Sequence, residues 1–257
     1  MDMGAVKLLL SPLLVGAASL AGRRWGPAVS GWLIALPLTS GPIVYVLALD
    51  QGPPFARAAA LGMLSGSVSQ ALFCLAFGGT IRRVPWPLAS GAGALAFAAS
   101  TGVFRLLTPP AGLLYLIVVA VVFGVLRLLP PSSGGPEVPR TPPVWDIPVR
   151  MIIAVSFVGG LTAAAPSLGP RLTGLISPFP IITLILASFA SRLDGAPAAL
   201  KVLKGLLLGL FSTSVFFLVL AVLVVREIPL GVVFAAASAA TLAMQGGMLR
   251  LVRRFLS

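Results

Sequence analysis

Two short runs hold the residues best placed to do chemistry in an apolar setting. The first is Pro37-Leu38-Thr39-Ser40-Gly41-Pro42. The second is Ser177-Pro178-Phe179-Pro180, with Thr183 a turn later. A proline removes a backbone N–H and its ring clashes with the preceding turn, so paired prolines oppose a continuous helix. Ser40-Gly41-Pro42 and Ser177-Pro178 read as helix starts, with a hydroxyl cap followed by proline in the first turn. A backbone opened in this way offers freed carbonyls and half-helix N-terminal amides, and those amides favour anionic or strongly polar groups. Pro37, Thr39, Ser40, Gly41, Ser177, Pro178, Pro180 and Thr183 are therefore the expected ligand contacts. For either run alone, a simple proline kink is the bland alternative.

Further polar residues stand in the neighbouring apolar stretches. Ser65, Ser67, Ser69 and Gln70 form one group; Ser212, Thr213 and Ser214 form the other. Hydroxyls of this kind usually bond back to their own helix, whereas an amide such as Gln70 needs partners. Ser69, Gln70 and Ser212 join the expected binding set. The acids are few. Asp2, Glu137, Asp146 and Glu227 are expected in tails or loops without a specific role. Asp50 and Asp194 each precede a Gly-x-Pro (Gly52/Pro54 and Gly195/Pro197) and are read either as caps of the next helix or as gates pairing with Arg57 and with Arg192 or Lys201.

Much chemistry is excluded. With no His, the usual zinc and haem sites and the His-dependent nucleophiles are gone, and the single Cys74 can make no intrachain disulfide. No ionisable group lies at an expected midplane, so a central carboxylate for proton coupling has no candidate. Asp194-Gly195-x-x-Ala198 matches the start of the CDP-alcohol phosphotransferase motif, but the following Arg and the later paired aspartates are missing. Neither an enzyme nor a cofactor or metal is expected.

The elements that must position these residues are membrane helices. Only 9% of residues are charged and 58% are hydrophobic, too few charges to cover a soluble fold of 257 residues. With about 20 apolar residues per span, nine segments follow: 4–22, 26–49, 55–78, 86–107, 110–129, 148–165, 170–191, 197–225 and 229–249. The Pro-, Ser- and Gly-rich stretch from Pro130 to Ile147 reads as a linker. The N-terminus has features of a cleaved signal peptide, but its stronger positive charge, Arg23-Arg24, follows the apolar run. Nine spans put 13 Lys and Arg on one side and 5 on the other. The richer side is expected to be cytoplasmic, with the N-terminus outside. The net charge of +12 thus reports topology and not nucleic-acid binding.

A shift of 143 residues aligns the chain with itself. It brings Gly26-Pro27 onto Gly169-Pro170, Pro37 onto Pro180, Gly52 onto Gly195, Gly62 and Gly66 onto Gly205 and Gly209, Ser69 onto Ser212 and Phe73 onto Phe216. The expected fold is therefore all-α, a 4+1+4 inverted repeat with broken helices 2 and 7. Its units are 1–108, a linker helix and loop at 109–147, and 148–257. Gly62-x-x-x-Gly66 and Gly205-x-x-x-Gly209 are small-xxx-small pairs, which nominate spans 3 and 8 for a close central crossing.

The run Gly174-Leu175-Ile176-Ser177-Pro178-Phe179-Pro180, with Leu184-Ile185 beyond it, resembles the short bacterial GlpM-like membrane proteins of about four spans. The first half departs from that pattern. The resemblance implies a four-span ancestor, duplicated and fused, and a loose link to exopolysaccharide production. The architecture is also similar to that of the drug/metabolite transporter group. The function expected is a secondary transporter for a small polar or anionic solute in a bacterial inner membrane. The alternative is a scaffold or lipid-handling subunit of a cell-envelope biosynthetic complex. The expected partners are the solute and membrane lipids, with a homodimer admitted and nucleic acid excluded.

Overall fold

The computed structural model describes residues 3–37, 40–107, 109–132, 143, 145–156, 159–160 and 179–256. All the regular elements among them are helices: α1 Met3–Trp25, α2 Pro27–Ile34, α3 Ser40–Gln51, α4 Pro53–Thr80, α5 Trp86–Phe104, α6 Ala111–Leu128, α7 (146–156), α8 Ile181–Asp194, α9 Ala196–Leu223 and α10 Leu230–Leu256. Five are long and apolar enough to cross a bilayer: α4, α5, α6, α9 and the Leu230–Met248 part of α10. Leucines on α5 and α6, among them Leu88, Leu95 and Leu116, stay exposed, as expected where lipid is the solvent. The protein is a helical membrane protein.

The second expected span is broken where its prolines stand. α2 has 8 residues and α3 has 12. At about 1.5 Å per residue neither is long enough to cross a bilayer by itself. The helix leaves its path after Ile34, and Gly41 N–H bonds the Pro37 carbonyl at 2.9 Å as α3 begins. In the second half, Phe179 and Pro180 are not helical and α8 begins at Ile181. The expected start at Ser177-Pro178 is thereby corrected. Pro180, at φ −78 and ψ 58, forms an inverse γ-turn closed by the 2.8 Å bond from Ile181 N–H to the Phe179 carbonyl. That ψ keeps Pro180 off the helical path.

α4 and α9 are the long axes. Each has 28 residues, their ends are 143 residues apart, and each is entered through a glycine. Gly52 stands at φ 84 and ψ 172, Gly195 at φ 84 and ψ 178. This is a region essentially closed to residues with a Cβ. Glycine is the N-cap of both helices, so the aspartates stand ahead of the cap position, Asp194 directly before Gly195 and Asp50 two residues before Gly52. Near the C-terminal end of α4, a Cβ on Gly78 would stand 3.1 Å from Leu200 and 3.3 Å from Leu203, near the start of α9. The two long helices therefore run in opposite directions. α6 packs on both of them.

The glycine pairs act differently from expectation. Gly205 and Gly209 receive α2 and not α4: a Cβ on Gly205 would strike the Ala28 carbonyl, and one on Gly209 would strike Ala35. Gly31 answers from α2, its missing Cβ leaving room for the Val202 carbonyl. Backbone thus lies on backbone along this seam, where dispersion and not the hydrophobic effect holds helices together. On α4, a Cβ at Gly62 would meet nothing within 4 Å.

Candidate functional site

A helix broken at bilayer depth exposes carbonyls that no water is present to satisfy. Here α9 and α10 supply the donors. Thr213 Oγ1 donates to the Ala35 carbonyl just past the end of α2, in addition to a 3.3 Å bond to Gly209 of its own helix. Gln245 Nε2 on α10 donates to the Trp32 carbonyl at 3.2 Å. Two carbonyls expected to face a ligand are therefore held by side chains. Across the break, buried Gly41 lies against the Phe216 ring, its Cβ position 3.3 Å from Cζ. Pro37 and Ser40 are half-buried on either side.

The non-helical Phe179-Pro180 before α8 is lined by aromatic rings. Phe179 meets Phe97 edge-on at 5.5 Å between centroids and Phe73 at 6.1 Å. Pro180 and Thr183 are buried beside it. Phe73 of α4 thus packs on Phe179 before α8, while Phe216, 143 residues on, packs on Gly41 at the start of α3. Thr39, Ser177 and Pro178 lie outside the described residues.

The neighbouring hydroxyls have separate fates. Ser65 and Ser67 bond back to the carbonyls of Gly62 and Met63, and Ser214 bonds to that of Leu210. Ser69 does not. It donates to Ser100 Oγ at 3.1 Å and accepts from Thr101 Oγ1 at 2.9 Å, tying α4 to α5. Gln70, the next residue, is half-buried. Ser212 is wholly inaccessible at 0% exposure, yet its Oγ has no hydrogen-bond partner. Trp32 Nε1 and Gln245 Oε1 are likewise buried and unpaired. An unmet polar group of this kind costs about 1–3 kcal/mol; Gln245 holds the Trp32 carbonyl, and Ser212 stands on α9 between Gly209 and Thr213, which meet Trp32 and Ala35.

The comparisons with known proteins add no relative. No family model, curated protein or solved structure matches the chain.

Sequence reasoning missed Gln245 and Trp32. The signal was present for Gln245, a lone amide in the apolar run Leu242-Ala243-Met244-Gln245, on the same grounds that singled out Gln70. It also misjudged Asp146. That residue is 1% exposed and not an idle loop acid. Its Oδ2 pairs with Arg23 at 2.9 Å and with Arg150 at 3.0 Å, while Arg150 Nε reaches Oδ1 at 3.0 Å. Arg150 also lies over the Phe189 ring at 4.8 Å. The cluster ties the end of α1 to the start of α7 and to α8. Breaking such a buried pair from one side costs about 3–5 kcal/mol. Of the expected gates, Asp194 is the exposed last residue of α8. Asp50 lies near the end of α3, and its side chain is outside the described residues.

Proposed function

We propose that this protein is a small secondary transporter, not an enzyme, that moves a small polar or anionic solute by alternating access. The observation that carries the reading is the interruption after α2, where the Ala35 and Trp32 carbonyls are held by Thr213 of α9 and Gln245 of α10. Non-helical backbone at membrane depth is tolerated where it is enclosed by protein or lines a cavity. Interrupted helices at matching places in two halves mark transporter sites. The inverted repeat is supported by three facts: the 143-residue match of α4 with α9, their opposite directions, and the non-helical Phe179-Pro180 before α8. In this reading nine spans form the 4+1+4 plan, and α6 is the adaptor that lets the second half enter from the other side. The halves rock about the α4 and α9 axes.

The Lys and Arg distribution sets the N-terminus outside and the C-terminus in the cytoplasm of a bacterial-type cell. Arg23, Arg150 and the end of α6, whose Pro131 carbonyl accepts from Arg82, then share the cytoplasmic side. A duplicated GlpM-like ancestor is the origin this reading adopts.

The test is flux of labelled polar and anionic solutes into proteoliposomes containing the purified chain. Ser40→Ala, Gln70→Leu and Ser177→Ala are each expected to slow a solute that the wild type carries. Unchanged flux in all three refutes the site.

A further inference from the structure

We propose that Trp32, Ser212 and Gln245 form the binding site of a small uncharged solute bearing both a hydrogen-bond donor and an acceptor, of the hydroxyl or amide class. The proposal deepens the transport reading and rests on it for the solute's route to the site. Its starting point is chemical complementarity left unused. Trp32 Nε1 can only donate, Gln245 Oε1 can only accept, and Ser212 Oγ can do both; all three are buried and unpaired. The orientation of the amide is fixed from within, because Gln245 Nε2 must donate to the Trp32 carbonyl, which leaves Oε1 as the open atom.

The two halves differ at this place. In the first half, Ser69 is satisfied by Ser100 and Thr101 on α5. Shifted by 143 residues, Ser69 becomes Ser212, but Ser100 and Thr101 become Ala243 and Met244. The second half therefore lacks the hydroxyls that close the pair in the first. In the same register Gly102 becomes Gln245, and Trp32 stands where the second half has Leu175. Polar atoms were thus removed where they would have satisfied one another and added where they do not. Scaffold packing alone gives no reason for that exchange; a guest that supplies the missing donor and acceptor does.

Charge is excluded by the walls. From Gly205 to Leu223 on α9 and from Leu230 to Met248 on α10 there is no ionisable residue, and α2 has none. A charged guest would be desolvated there without a counter-charge.

The experiment uses the full chain in lipid nanodiscs with Trp25, Trp86 and Trp145 replaced by Phe, so that Trp32 alone fluoresces. Glycerol, urea and acetamide are titrated as uncharged probes, with acetate and phosphate as anionic ones. At least one uncharged probe is expected to give a saturable shift in emission and the anions none. Gln245→Leu and the nearly isosteric Gln245→Met are each expected to weaken the response at least tenfold while the protein stays monodisperse. No saturable response to any uncharged probe, an equal response to the anions, or an undiminished response in Gln245→Met would overturn the proposal. Flux measured on the same preparations separates the two readings. Solute flux that depends on Ser40, with Trp32 silent, sinks this site and leaves transport standing. A Trp32 response without flux in the wild type supports the site and removes transport.

Discussion

α4 and α9 have the same length, the same glycine entrance and the same aromatic at matching positions, yet they are used differently. α9 is enclosed on all sides, with α2 laid directly on its glycines and Thr213 holding a carbonyl of the broken span. α4 closes its own polar contacts with α5 and leaves Gly62 open. The shared features belong to the scaffold: how a long helix is entered, how far it runs, and where a ring packs on a break. The differences gather within a few residues of the first break. Two helices of matching length can differ cheaply only where packing does not fix the residue, and that is where a ligand site can arise.

The largest effect should come from the seam that only α9 has. Gly205→Leu drives a side chain into the Ala28 carbonyl and is expected to cost about 3 kcal/mol or more, whereas Gly62→Leu should stay within about 0.5 kcal/mol. Thermal unfolding in one detergent decides it, and equal losses at both sites would remove the asymmetry. Next come the entrances, where the helices should behave alike. Gly52→Ala and Gly195→Ala are each expected to lose about 1–3 kcal/mol from the same disallowed backbone geometry. A strong effect at only one would mean that the shared turn bears load in one half alone.

The smallest difference is the most informative because it changes sign. Ser69→Ala breaks a satisfied cluster and should destabilise by about 0.6–1.7 kcal/mol. Ser212→Ala removes an unmet hydroxyl and should leave stability unchanged or raised while weakening the Trp32 response. A destabilising Ser212→Ala would show that Ser212 has a partner after all and would restore the likeness of the two helices.

Most of the frame was legible in the residues, and less of the site. The pairs Gly52 and Gly195 marked positive-φ entrances because no side chain tolerates that geometry. Pro37 stands between α2 and α3 and Pro180 just before α8, because a missing N–H acts within one turn. Ser177-Pro178 misled, since a hydroxyl followed by proline resembles a cap even where a further proline holds the chain off the helical path. The Gly-x-x-x-Gly pairs announced a close approach but not the partner, because a bare helix face accepts whichever backbone arrives. Asp146 looked idle because its partner Arg23 is 123 residues away.

The amino-acid sequence by itself determined that the chain is a helical membrane protein and where proline interrupts its second apolar run. These follow from composition and from backbone chemistry that acts over a few residues. Only the tertiary structure decided which carbonyl each donor meets and which polar atoms go unmet. Thr213 reaches Ala35 across 178 residues of chain and Gln245 reaches Trp32 across 213. In a medium without water, whether a buried polar group is satisfied depends on those distant neighbours and on nothing local.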